Sequence, residues 1–153
     1  MNDTRVTRAM KNLPPTDASV HESALINAFT LKERKARLLE FLEISKRQKL
    51  HALLHHFKCL DDRFARPLPP GIHTPAQIAA LLAQRGAPPT CLIITSFGGL
   101  DRLSMPLLDA LTAIVGQQCG ALISCIPGRL AYFEGEEPGM RYVLERSQEA
   151  PRK

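Results

Sequence analysis

Apolar residues recur with helical spacing through the first part of the chain. Residues 18–29 are predicted to form a short helix with four residues on its apolar side: Val20, Ala24, Leu25 and Ala28. A leucine-rich stripe then runs over residues 31–57, and Thr30 with Glu33 has capping-box spacing, which predicts a helix start at Thr30. Ser45 interrupts the stripe, so residues 31–57 form either one long helix or two. The drift of the apolar stripe along a single helix favours two.

The pattern changes after the proline-rich residues 67–71. Thr74 and Pro75 open a predicted helix, because threonine caps a helix and proline suits its first turn. The continuous apolar run at residues 91–95 is typical of a buried strand. Ser104 is predicted to open the next helix, and the chain then contains three further strand patterns: residues 121–126, 130–133 and 141–145.

This order of elements predicts an α+β fold. A strand–helix–strand step favours parallel neighbours joined by a crossover, whereas the last strands are close enough to form antiparallel hairpins. We therefore expect N-terminal helices followed by a mixed four-stranded sheet, in the order α-β-α-β-β-β, with helices packed on one face. The expected organisation is one compact domain with four parts: a flexible tail (1–16), a basic helical part (17–66), an α+β core (67–147) and a second tail (148–153).

Composition is consistent with a self-supporting soluble domain. The chain has 153 residues, of which 44% are hydrophobic, so it can bury a core without a metal or a disulfide. The four cysteines contain no Cys-x-x-Cys pair, which favours reduced thiols. No apolar run approaches the ~20 residues of a membrane span and no secretory signal is evident, so we expect no membrane partner and a cytoplasmic protein.

The net charge of +5 lies entirely in the first part of the chain. Residues 1–66 contain 13 basic and 8 acidic residues, whereas residues 67–153 contain 7 of each. Cations grouped on helices can neutralise phosphates, which predicts polyanion or partner binding by six residues in particular: Lys32, Lys35, Arg37, Lys46, Arg47 and Lys49. Arg34 belongs to the same run. The alternative is a solvated face, because Glu33, Glu40 and Glu43 lie at spacings that allow salt bridges.

A second candidate site is the turn after the buried strand. Glycines between a strand and a helix let backbone amides approach an anion. The turn contains five candidate ligand residues: Ser96, Gly98, Gly99, Asp101 and Arg102. It lacks the lysine of a phosphate-binding P-loop, and Asp101 would repel phosphate unless a cation offsets it. A flexible turn is the alternative interpretation.

Two further patterns are weaker. His51, His55 and Cys59 follow each other at intervals of four residues, which a continued helix would align for zinc, but His51 and His55 are expected to point away from the core into solvent. Ser124 and Cys125 are potential nucleophiles without the surrounding motif of a known hydrolase. We therefore assign no metal, no cofactor and no catalytic residue.

Two functions remain after these exclusions. The first is a small binding or regulatory module whose basic helical surface contacts nucleic acid or an acidic protein. The second is a small enzyme with a ligand cleft at residues 96–101. The first is favoured because the charge excess is localised, whereas polar residues at catalytic spacing are scarce.

Overall fold

The computed structural model describes residues 15–54, 57–97 and 99–146, so residues 1–14 of the first predicted tail and the whole of the second lie outside the described residues, whereas residues 15 and 16 belong to the first helix. Within this part the chain forms five α-helices, which we number in chain order: α1 (Pro15–Phe29), α2 (Lys35–Glu40), α3 (Arg47–Leu54), α4 (Pro75–Gln84) and α5 (Leu107–Ile114). Short 3-10 turns precede α2 and α3. The leucine-rich stretch is therefore divided into two helices, as its pattern favours.

Six strands form one sheet in the described chain: β1 (Ala65–Pro67), β2 (Thr90–Thr95), β3 (Ser104–Pro106), β4 (Ala121–Ile126), β5 (Leu130–Glu134) and β6 (Arg141–Glu145). Their spatial order is β1-β6-β5-β4-β2-β3. The α+β class is thus confirmed, and the strand patterns at residues 91–95, 121–126, 130–133 and 141–145 are also confirmed. The expected number of four strands is wrong, because two three-residue strands extend the sheet at its two edges.

All strand pairs in the described sheet are antiparallel, so the expected mixed sheet is also wrong. The reason lies at Ser104, which begins β3 instead of a helix. The chain reverses after β2, and β3 pairs with it through Cys91 and Met105. The strand–helix–strand step therefore runs from β3 through α5 to β4. These two strands point the same way on either side of β2.

Helices cover both faces of the sheet, which corrects the prediction of one covered face. On one face, α1, α2 and α3 pack on alternate strand residues that include Leu92, Leu122 and Phe133. On the other face, α4 and α5 pack on the intervening residues, which include Ile93, Ile123 and Tyr132. A strand buried on both faces has apolar residues at consecutive positions, which explains the unbroken run in β2.

Of the two helix starts predicted from threonine caps, the one at Thr74 is confirmed and the one at Thr30 is wrong. Thr74 forms a capping box with Gln77 at the start of α4, as the Thr-Pro pair predicts. Thr30 forms none, because its hydroxyl is buried and donates at 2.6 Å to the carbonyl of Ile26 in the preceding helix. The pattern places Val20 on the apolar side of α1, but 56% of its surface is exposed.

The carboxylate of Glu134 holds the loop that follows α5. Glu134 lies at the end of β5 and is 1% exposed, although its neighbours in sequence suggest a solvated acidic turn. Its Oε1 accepts a hydrogen bond from the Tyr132 hydroxyl at 2.8 Å, and its Oε2 accepts one from the Gly116 amide at 2.8 Å. Burial and the adjacent carboxylate raise the pKa of Tyr132, so this hydroxyl stays protonated and donates.

We expect Glu134→Gln to lower the free energy of unfolding by about 1–3 kcal/mol, because an amide cannot accept at both ends and leaves one buried donor unpaired. Urea denaturation followed by circular dichroism measures this. The matched control is Glu137→Gln, whose site is exposed and should change stability by less than about 0.5 kcal/mol. Equal stability of the two variants would contradict the role of Glu134.

All four cysteines are free thiols, three of them buried. Among the described helices, none has the length and the apolar character that crossing a membrane requires.

Candidate functional site

Four of the predicted basic residues are exposed on the N-terminal helical layer. Lys32 and Arg34 lie in the 3-10 turn before α2, Arg37 lies within α2, and Lys49 lies within α3. We refer to Lys32, Arg34, Arg37 and Lys49 as the exposed basic set. All four lie within 18 consecutive residues of the chain, from Lys32 to Lys49.

The exposed basic set is not neutralised by the glutamates of the same segment. Among the side chains that the structure describes, no carboxylate lies within 4.0 Å of any of its four charged groups. Glu40 instead pairs with Lys46 at 3.1 Å, and the Lys35 ammonium donates to the backbone carbonyl of Thr30. The glutamates of this segment thus form one salt bridge among the described side chains, and its two partners are six residues apart, not one helical turn apart. Lys35 and Lys46 are half-buried, and each ammonium group already has a partner within the protein.

Arg47, one of the six residues predicted to bind a polyanion or partner, is buried and does not lie on the exposed surface. It is 6% exposed. Its Nε donates to Asp101 Oδ2 at 2.7 Å and its Nη2 donates to Asp101 Oδ1 at 2.9 Å, which is a bidentate pair. Helix α3 thus directs one of its cations inward while Lys49, two residues later, points outward.

Arg47 is the centre of a buried ionic cluster that joins three elements. Its Nη2 also lies 2.9 Å from Glu22 Oε2 on α1, and Arg102 Nε lies 3.4 Å from the same oxygen. His51 Nε2, one turn after Arg47, lies 3.0 Å from Asp101 Oδ2. We refer to Glu22, Arg47, His51, Asp101 and Arg102 as the ionic cluster. It connects α1 and α3 to the turn between β2 and β3.

Burial and neighbouring charges have opposite effects on the pKa values of Glu22 and Arg47 in the ionic cluster. Burial raises the pKa of Glu22, and the charges of Arg47 and Arg102 offset this only in part. For Arg47, burial opposes the charged form, but the hydrogen bonds to Asp101 and the charge of Glu22 raise its pKa. The cluster contains two carboxylates and two guanidinium groups, so removal of one of these members leaves an uncompensated charge among buried and half-buried side chains.

The predicted ligand turn is held in place by the ionic cluster. Asp101 accepts a further hydrogen bond from the Thr95 amide at 3.1 Å, so its carboxylate is fully engaged. Arg102 has a φ of 67°, in the left-handed region, and its amide donates to Ile93 at 2.7 Å. Ser96 and Gly99 are exposed, and Gly98 lies outside the described residues.

The candidate nucleophiles face the interior. Ser124 is 1% exposed, and its hydroxyl lies 2.7 Å from Nδ1 of His21 on α1, a partner that the sequence pattern did not suggest. Burial raises the pKa of Cys125 to about 12, which keeps it a thiol near neutral pH. Neither side chain is positioned to attack a ligand from solvent.

The histidine pattern is interrupted where α3 ends at Leu54. His55 lies outside the described residues, and Cys59 follows in a separate 3-10 turn. His51 contacts Asp101 instead of pointing into solvent, which corrects that expectation. No group of three or more potential metal ligands occurs in residues 15–54, 57–97 and 99–146.

Comparison of the chain with protein-family models, with curated proteins and with solved structures found no significant match.

Proposed function

We propose that this chain is a small binding module whose exposed basic set contacts a polyanion. The observation that carries the proposal is that four cations, grouped within 18 residues, have no carboxylate partner among the side chains that the structure describes. Cations without carboxylate partners can meet an external anion without first breaking an ion pair. Nucleic acid is the first candidate because its phosphates have the highest linear charge density, and an acidic protein surface is the second.

The expected contact is electrostatic and insensitive to base sequence. Lysine and arginine that neutralise phosphates release condensed counterions, which favours binding at low salt. Phe41 lies under Lys49, with the ammonium 5.8 Å from the ring centroid, so this ring is already covered by a cation. The exposed basic set therefore offers positive charge and not an aromatic surface for stacking on bases.

The alternative of a small enzyme at residues 96–101 has less support. Its one acidic residue, Asp101, is engaged by Arg47, His51 and the Thr95 amide. A carboxylate in this arrangement is poorly suited to act as a general base, because its lone pairs already accept hydrogen bonds.

Titration of three kinds of labelled ligand tests the proposal: duplex DNA of two different sequences, a structured RNA and an acidic peptide. We expect both duplexes to bind alike at about 50 mM salt. If four phosphates are neutralised, affinity should fall about a hundredfold by about 200 mM salt. Tighter binding of the acidic peptide than of either nucleic acid would assign the partner to an acidic protein. Absence of binding to all of these ligands at low salt would contradict the proposal.

A further inference from the structure

A second concentration of positive charge lies in an open cleft of about 370 Å³ at the end of the sheet. Four arginines from four different segments line it: Arg66 on β1, Arg85 after α4, Arg129 in the turn between β4 and β5, and Arg146 after β6. We refer to it as the arginine cleft. None of its residues belongs to the exposed basic set or to the ionic cluster.

The arginine cleft has an excess of positive charge in a confined space. Among the described residues that line it, four are arginines and one, Glu145, is acidic. Glu145 forms an ion pair with Arg85, whose side chain remains 38% exposed. The lining as a whole therefore favours an anion that carries several negative charges.

The cleft is built on ordered elements. The Arg146 guanidinium donates at 3.1 Å to the Ala28 carbonyl and lies 4.2 Å from the centroid of the Phe64 ring. The Arg146 amide donates at 3.0 Å to the Arg129 carbonyl, which joins the two segments. Arg146 is therefore held before a ligand arrives, and a held arginine gives up less side-chain freedom on binding.

We propose that the arginine cleft binds a small organic diphosphate such as a nucleoside diphosphate. A diphosphate ester near neutral pH carries several negative charges, which suits a lining in which arginines outnumber the described carboxylate, and guanidinium groups match phosphate oxygens in pairs. Ile126 and Leu130 also line the cleft and provide apolar surface for the organic part of the ligand. Its volume lies at the lower end of the range for small-molecule sites. The site is independent of polyanion binding by the exposed basic set.

Isothermal titration of the full chain with ADP, adenosine, inorganic pyrophosphate and citrate tests this site. We expect ADP and pyrophosphate to bind at one site per chain, adenosine to give no saturable signal, and citrate to bind at least tenfold more weakly than ADP. Failure of ADP to bind would overturn the proposal. So would adenosine binding as tightly as ADP, or citrate matching it, because phosphate would then not be the group that is recognised.

Two variants and a control locate the site. Arg66→Gln should weaken ADP binding by about tenfold, because it removes one charge-assisted hydrogen bond to phosphate. Glu145→Gln should tighten it severalfold, because the one lining carboxylate is removed and Arg85 is released. A gain in affinity cannot result from misfolding. Lys58→Gln removes an exposed charge outside the cleft and should leave affinity unchanged. Unchanged affinity in both cleft variants would overturn the proposal.

Discussion

Arg47→Met is expected to lower the free energy of unfolding by about 3–5 kcal/mol, because it leaves two carboxylates facing each other without their shared cation. Glu22 is 2% exposed and cannot recover its hydration. The affected ion pairs fix α1 and α3 to the turn between β2 and β3, so the N-terminal helical layer should loosen first. Chemical denaturation monitored by circular dichroism measures the change. Because a domain of ordinary stability has a free energy of unfolding of about 5–15 kcal/mol, this loss would leave the folded state only marginally stable.

Lys49→Met is the matched control, since it removes a cation from the same helix with the same substitution. Lys49 is exposed, and its replacement should change stability by less than about 0.5 kcal/mol. The deficit of Arg47→Met should also depend on pH. Burial raises the pKa of Glu22, and the charge of Arg47 lowers it, so Arg47→Met should raise the pKa of Glu22 further in the folded protein. The loss of stability should therefore be smaller at pH values where Glu22 is protonated in both folded proteins, and it should grow as pH rises through the pKa that Glu22 has in the unsubstituted folded protein. A pH-independent deficit would contradict the coupling to Glu22.

Ile93→Asp is the second substitution with a large expected effect. Ile93 is 0% exposed, lies opposite Ile123 on β4, and packs beneath α4 and α5. A carboxylate there would be buried without a cation, at a cost of about 4 kcal/mol or more, so the variant should be largely unfolded at about 37 °C.

Leu108→Asp is its control, because Leu108 lies on α5 with 48% of its surface exposed. Thermal unfolding should show a far smaller shift for this variant. If Ile93→Asp melted at the temperature of the unsubstituted protein, the placement of β2 in the interior would be wrong.

The sequence predicts the strands well because their signal is local. Consecutive apolar and β-branched residues in β2 and β4 reflect burial on both faces, and the pattern contains this information without knowledge of the partners. The predicted direction of the strands was wrong because three residues, Ser104–Pro106, pair with β2. A pairing this short leaves no periodicity to detect, and a serine before an apolar run resembles a helix cap.

The ionic cluster could be anticipated only in part. Glu22 lies three, four and seven residues before Leu25, Ile26 and Phe29, which are buried on α1, so its position on the buried stripe is readable from the sequence. Its partners are not readable, because Arg47 and Asp101 are 54 residues apart and meet only when the helical layer docks on the sheet. For the same reason, nothing in the sequence separates the buried Arg47 from the exposed Lys49.

The arginine cleft was missed because its four arginines are spread over residues 66–146, a region in which basic and acidic residues are nearly equal in number. Counting charge along the chain therefore suggests a neutral second part. The antiparallel sheet brings β1, β6 and the turn between β4 and β5 to one end. The positive charge of the cleft therefore arises from the fold and not from a run of basic residues in the sequence. Sequence patterning indicates the segment that contains the exposed basic set, but it does not indicate this site.

The most direct test of the proposed function is the salt dependence of duplex DNA binding by a triple variant, Lys32→Gln, Arg34→Gln and Arg37→Gln. Each phosphate that is no longer neutralised should reduce the slope of log K against log salt by about 0.9, so we predict a reduction of about 2.7 with unchanged thermal stability. Lys58→Gln should leave the slope unchanged. A triple variant that binds duplex DNA with the same affinity and the same slope as the unsubstituted protein would contradict polyanion binding by the exposed basic set.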